Sequence, residues 1–139
     1  MTSVRLYVCF TLLVIILTLI SCSEIKTSNA NETYKNWAGT NPPDDIELLN
    51  GQYWKSRHWT NEYIMYLKFK PTKKWWSEFQ KQNAISVDKS SWITPKNTPS
   101  WFNPSNKSVR FSNGNTFDQG SRYFRDTTTG ISYIYEIQL

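Results

Sequence analysis

Residues 62–82, EYIMYLKFKPTKKWWSEFQKQ, carry two periodicities back to back. Tyr63, Met65, Leu67 and Phe69 alternate with Ile64, Tyr66, Lys68 and Lys70, the two-residue period of a strand. The second of these faces is apolar only over Ile64 and Tyr66, which predicts a strand covered on both sides at that end. Pro71 closes the run, and Thr72 is a suitable N-cap for a helix from Lys73 to about Gln82. Trp75 and Trp76 stand four and three positions before Phe79, so the three rings share one helical face. A strand running directly into a helix with an aromatic face predicts that the helix packs on the sheet.

The chain downstream reads as β. Residues 84–87 are compatible with a short strand. Residues 90–106 hold Pro95, Pro99 and Pro104 together with Trp92 and Trp101, and proline removes donors and fixes φ, so a long ordered loop is predicted. Loops of that length within a small domain are often binding elements. Strands follow at 108–112, 121–126 and 131–139, with turn signals at Asn113-Gly114 and across 127–130. In the last strand Ile131, Tyr133, Tyr135, Ile137 and Leu139 share one face, and Ser132, Ile134, Glu136 and Gln138 the other. Antiparallel pairing of 121–126 with 131–137 follows from the short glycine-containing turn. The fold class is α+β: a small antiparallel sheet with one amphipathic helix packed on it.

Upstream, Pro42 and Pro43 mark the entrance to a single domain spanning 44–139, large enough for one core. Asp44 and Asp45 are read as capping a short helix through Leu49, and Asn50-Gly51 as its stop or turn. Residues 22–43 are rich in Ser, Thr, Asn, Glu and Lys. That composition predicts a flexible tether, with a reach of roughly 25 Å. Tyr34 and Trp37 are the two large side chains in it suited to docking on the domain.

The amino-terminal 21 residues read as an export signal. Arg5 supplies a positive start, 6–20 form an apolar run broken only by Thr11 and Thr18, and small residues follow. A spanning helix needs about 20 apolar residues, more than this run provides. Leu19-Ile20-Ser21-Cys22 at its end resembles the lipobox of bacterial lipoproteins. The resemblance implies cleavage before Cys22 and lipid on its sulfur and new amino group. An uncleaved anchor and a plain secretory signal are the alternatives. Ser23, next to the cysteine, resembles the pattern of lipoproteins sorted to the outer membrane, facing the periplasm. In a host with one membrane the anchor would place the protein on its outer leaflet.

Several function classes are disfavoured by composition. Cys9 and Cys22 are the two cysteines, so the mature domain has no internal disulfide and no thiolate metal site. The whole chain carries net charge +5; without residues 1–21, which lose Arg5, 15 Lys and Arg face 11 Asp and Glu, or +4. The basic residues are scattered, which argues against nucleic acid and suits an acidic or mixed protein surface. No nucleophile elbow or phosphate-cradling glycine loop is present. His58 is the one histidine; with Glu62 as its local carboxylate, it reads as an exposed or aromatic-packed side chain. Glu62, Glu78, Asp88, Asp118, Asp126 and Glu136 are available for glycoside hydrolysis, but their spacing carries no signal. The expected protein is therefore non-catalytic and free of cofactors and metals.

The distinguishing feature is aromatic content: 7 Trp, 8 Tyr and 7 Phe. Trp75, Trp76 and Phe79 are assigned to the core. Trp92, Trp101 and Phe102, among prolines, serines and asparagines, are candidate exposed recognition residues. Arg122 and Arg125 are candidate anchors for an acidic partner. They point to opposite faces of their strand, so one of them is open to an internal pair with Glu136 or Asp118. The leading expectation is an envelope lipoprotein, held at the membrane through Cys22, that binds another protein in the manner of an immunity or inhibitor protein. A wall- or glycan-binding module is the alternative, and a wall hydrolase the third reading.

Overall fold

The strand–helix unit forms where its periodicity places it: β3 spans Tyr63–Pro71 and α2 spans Lys73–Gln82. In this computed structural model residues 23–58, 60–114 and 119–139 are described. The signal segment, Cys22, Trp59 and Asp118 lie outside the described residues. Thr72 caps α2, its Oγ1 accepting from the Trp75 amide at 3.1 Å. Trp76 and Phe79 are buried and Trp75 is half-buried, on the face that the spacing predicts.

The remaining elements are β1 (Ile25–Thr27), α1 (Ala30–Ala38), β2 (Ile46–Lys55), β4 (Ser86–Val87), β5 (Ser108–Ser112), β6 (Arg122–Asp126) and β7 (Ser132–Gln138). The strands make one antiparallel sheet in the order β1-β2-β3-β7-β6-β5-β4. The chain leaves β3, crosses one face as α2 and restarts at the far edge with β4. It then returns through β5, β6 and β7 until β7 pairs with β3 in the centre. The α+β expectation holds at this level, but two helices lie on the sheet rather than one.

Residues 25–38 are folded structure, which corrects the tether reading. Asn29 caps α1 by accepting from the Glu32 amide at 3.0 Å, and Gly39, at φ 71°, ends it with its N–H on Lys35 O. Thr33 and Tyr34 are buried against the sheet. The local signals are ordinary ones: a capping Asn, Glu three residues on, and glycine just past the end. Polar composition outweighed them because α1 buries only one narrow face and leaves the rest to solvent.

The short helix expected after Asp44-Asp45 is instead β2, ten residues long, paired with β3 along its length. Asn50-Gly51 is no stop. The register shifts between Leu48 and Asn50, a β-bulge that leaves Leu49 exposed. Gly51 serves as the seat of α1: a Cβ there would lie 2.7 Å from Thr33 Cβ and Oγ1 and 2.8 Å from Ala30 Cα. The glycine is required by close approach of helix and strand, a relation that a local turn signal cannot reveal.

Both faces of the sheet are covered. On one, Tyr34, Trp76 and Phe79 from the helices pack with Tyr53, Met65, Leu67, Phe69, Tyr123 and Ile134. On the other, the proline-rich loop lays Phe102 onto Tyr66, Phe124, Tyr133 and Tyr135, with Trp92 and Trp101 at the margin. Ile64 and Tyr66 thus find their cover, as the apolar first half of that face of β3 predicts. The cover is a loop without regular structure. It is fixed by ring-on-ring contacts, such as Phe102 on Tyr66 at 5.1 Å and on Tyr133 at 5.4 Å.

Candidate functional site

β7 carries Glu136 on the helix-covered face, between the buried Tyr135 and half-buried Ile137. Three aromatic donors from three other elements converge on its carboxylate. Trp37 Nε1 of α1 and Tyr63 OH of β3 both donate to Oε2, each at 2.8 Å; Tyr123 OH of β6 donates to Oε1 at 2.8 Å. A carboxylate offers about four lone-pair positions, so one acceptor position on Oε1 is left over. All three donors are neutral, and the negative charge therefore stays uncompensated by any cation among these contacts. The Tyr63 hydroxyl is held well above the ordinary tyrosine range by burial first, and then by the Glu136 charge and hydrogen bond. It remains a donor across the whole physiological range.

Glu136 forms part of the floor of a cleft of about 500 Å³ between the two helices. α1 supplies Tyr34 and Trp37, and α2 supplies Trp75, Glu78, Phe79 and Gln82. The rings run as a continuous line. Tyr34 meets Trp37 edge-on at 5.6 Å, Trp37 meets Phe79 at 6.0 Å, and Phe79 stacks on Trp75 at 5.1 Å with planes 10° apart. Glu78 is exposed at the rim. The result is an aromatic cleft with a fixed carboxylate within and a second one at its edge. Its chemistry is that of a receptor for a positively charged or polar group carried on an apolar stem.

The residues singled out in the sequence do not assemble into one surface. Phe102 is buried, and Trp92 and Trp101 are half-buried cover for the sheet. Trp92 is further held by its Nε1 donating to Gly120 O at 3.2 Å. They are core residues of the second face, not exposed recognition residues. The reason is that Ile64, Tyr66, Phe124, Tyr133 and Tyr135 must be covered, and this loop is the segment available to cover them.

Arg122 is 9 % exposed, with Nε 2.8 Å from Asp88 Oδ2. Arg110 Nε meets the same oxygen at 3.1 Å, and the Ser90 amide donates to Asp88 Oδ1 at 2.8 Å. Burial tends to raise the Asp88 pKa, but the Ser90 hydrogen bonds and the two guanidinium groups outweigh it and hold the carboxyl below its ordinary range. Arg122 therefore anchors the start of the loop through Asp88, and among the described residues it forms no ion pair with Glu136; Asp118 lies outside the described residues. Arg125 lies on the opposite face, stacked 5.3 Å from the centroid of the Trp76 ring.

Of the other candidates, His58 is exposed beside Glu62, and the fold adds Glu24 and Trp54 to the same shallow pocket. Asp126 is occupied by Ser105 Oγ and by the Thr128 and Thr129 amides. Glu78 and Glu136, from the list of carboxylates, share the helix–helix cleft. Sequence reading missed this site because its key residue, Glu136, looks like any solvent-facing acid on a strand. The signal within reach was Trp37, a large ring in an otherwise polar segment.

Among the described residues no three His, Cys, Asp or Glu side chains gather as metal ligands, and no helix is long and apolar enough to cross a membrane. Comparisons of this chain with protein-family models, with curated proteins and with solved structures returned no match.

Proposed function

We propose that this chain is a non-catalytic, lipid-anchored protein of a bacterial envelope that binds another protein through the cleft between α1 and α2. The observation that carries the binding site is Glu136 held by Trp37, Tyr63 and Tyr123. Three fixed donors preorganise the carboxylate before any partner arrives, so little ordering cost remains at binding. Aromatic residues around a fixed acceptor have the composition of interface anchors. The partner group that suits the cleft is a lysine or arginine side chain, its stem on Trp37 and Trp75 and its charge toward Glu136 and Glu78. Locally this reverses the expectation from net charge, which favours an acidic or mixed partner surface. An immunity or inhibitor role, against an incoming toxin or hydrolase, fits an anchored protein of this size.

Glu78→Lys is the informative substitution, because Glu78 is exposed and its replacement leaves the core intact. Affinity capture from envelope extract should recover a partner with the original chain and lose it with the variant. Equal recovery by both would sink the cleft as the binding surface. For the anchor, Cys22→Ala should leave the precursor unlipidated and release the protein from the membrane fraction. Continued fractionation with membranes, with no fatty acid on the original chain, would remove the lipoprotein reading.

Glycan binding is the second reading, favoured by Gln82 and Asn83 beside Trp75 and Trp37 in the same cleft. Rings flanked by amides are suited to stacking and hydrogen bonding with sugars. Retention on insoluble peptidoglycan, lost on Trp75→Ala, with no protein captured from the extract, would favour it.

A further inference from the structure

A second cleft, of about 680 Å³, opens along the other flank of α2. Its chemistry is the reverse of the first. Lys70, Lys73 and Arg125 line it, with the hydroxyl-bearing Ser77 and the turn Thr127–Gly130. A Cβ on Gly130 would lie 3.8 Å from Arg125 Nη2 and 4.0 Å from Lys70 Cε, so the two cationic side chains flank one glycine. Arg125 is fixed in place: its guanidinium lies over Trp76 and Nη1 donates to Ser132 Oγ at 3.1 Å.

Among the described residues the cations lack counter-charges: no carboxylate lies within ion-pair distance of Lys70, Lys73 or Arg125. Asp126, below the turn, already accepts from Ser105, Thr128 and Thr129. Asp45 accepts a hydrogen bond from the Oγ1 of Thr72, a lining residue, at 3.5 Å. Burial lowers the Arg125 pKa, the mark of a cation that has lost water without gaining an anion. Holding like charges together in a partly desolvated cleft is unfavourable for the free protein and favourable once an anion enters.

We propose that this cleft binds a phosphoryl group. The planar guanidinium presents two parallel donors to phosphate oxygens. Two lysines supply further charge, and the threonine and serine hydroxyls supply donors for a tetrahedral, many-oxygened anion. The source is a free phosphate compound or a phosphate-bearing polymer, and not the bilayer to which the chain is anchored. This second clause rests on the Cys22 reading above. Ile25 is level with Lys55, which is level with Tyr63, so the amino-terminal chain enters at the Tyr63 end of β3. The basic cleft lies at the Pro71 end, eight residues away or about 26 Å at the rise of a strand.

The test is an amide chemical-shift titration of the full chain carrying Cys22→Ala, in detergent, with inorganic phosphate at constant ionic strength. Amides of residues 72–77 and 127–130 should shift saturably, and those around Glu136 should not. Arg125→Gln should weaken binding by at least about tenfold, the loss of one charge-assisted hydrogen bond. Lys70→Gln, on an exposed side chain, should also weaken binding and guards against misfolding of the arginine variant. Non-saturable shifts, shifts that chloride reproduces, or affinity unchanged in both variants would overturn the site. If phosphatidylglycerol vesicles shift residues 127–130 and inorganic phosphate does not, the assigned source is wrong. None of these outcomes depends on whether Cys22 is lipidated.

Discussion

Trp37 Nε1 donates to Glu136 Oε2 at 2.8 Å across 99 positions of sequence. The bond ties the amino-terminal helix to the last strand and fixes one wall of the helix–helix cleft to its floor. Trp37→Phe keeps an aromatic ring at the position but deletes the donor and part of the indole packing on Tyr34 and Phe79, so it should cost at least about 1.5–3 kcal/mol, the range for a hydrogen bond to a charged group. Urea unfolding measures it. In a double-mutant cycle with Tyr63→Phe the two losses should be non-additive, because both donors serve the same oxygen.

Gly51→Ala tests whether α1 is part of the domain. The added methyl would meet Thr33 and the Ala30 backbone at 2.7–2.8 Å, and overpacking of this kind costs about 1–3 kcal/mol or more. Thr33→Ala should not rescue it, since Thr33 Cβ and Ala30 Cα remain in place. A tether at 22–43 would predict no effect at all on the unfolding midpoint.

Phe102→Ala should destabilise by about 3–5 kcal/mol, as for a buried aromatic ring, although the residue lies in a segment without regular structure. Ile93, in the same loop but 89 % exposed, should tolerate alanine within about 0.5 kcal/mol. Comparable unfolding midpoints for the two variants would mean that the loop does not cover the sheet.

Acid should loosen the loop anchors. Asp88 and Asp126 both have pKa values below the ordinary carboxylate value of 3.8 when folded. For Asp126 the cause is first the Thr129 amide, then Ser105 and the Thr128 amide. The unfolded chain therefore binds more protons just below pH 3.8, and stability rises with pH there. This contribution is complete above the unfolded value and is lost as pH falls through the folded ones. Thermal midpoints should drop more steeply below pH 4 in the original chain than in Asp88→Asn. At pH 7 that variant should already be less stable by roughly 1.5–3 kcal/mol, having lost the carboxylate oxygen that Arg110 and Arg122 share.

Glu62–Leu139 was largely legible from local pattern. The strand–helix unit, the N-cap at Thr72, and strands β5 to β7 stand within a residue or two of their expected places. Each was signalled by neighbours in sequence: alternation, a capping hydroxyl, a glycine turn. Misreadings concentrate where a residue's role is set by something distant. Gly51 resembles a turn until α1 is placed on it. The loop aromatics resemble recognition residues until the face they cover is known.

The candidate site shows the same division. The resemblance of Leu19–Cys22 to a lipobox, the placing of both cysteines at positions 9 and 22 and the abundance of rings are properties of the chain itself, and the sequence alone determined them. Which rings are buried, which carboxylate is held by three donors, and which cations share a cleft were decided only by the tertiary structure. The physical reason is that hydrogen bonds and burial depend on distance in space. Trp37, Tyr63, Tyr123 and Glu136 are strangers in sequence and neighbours only once β7 has paired between β3 and β6.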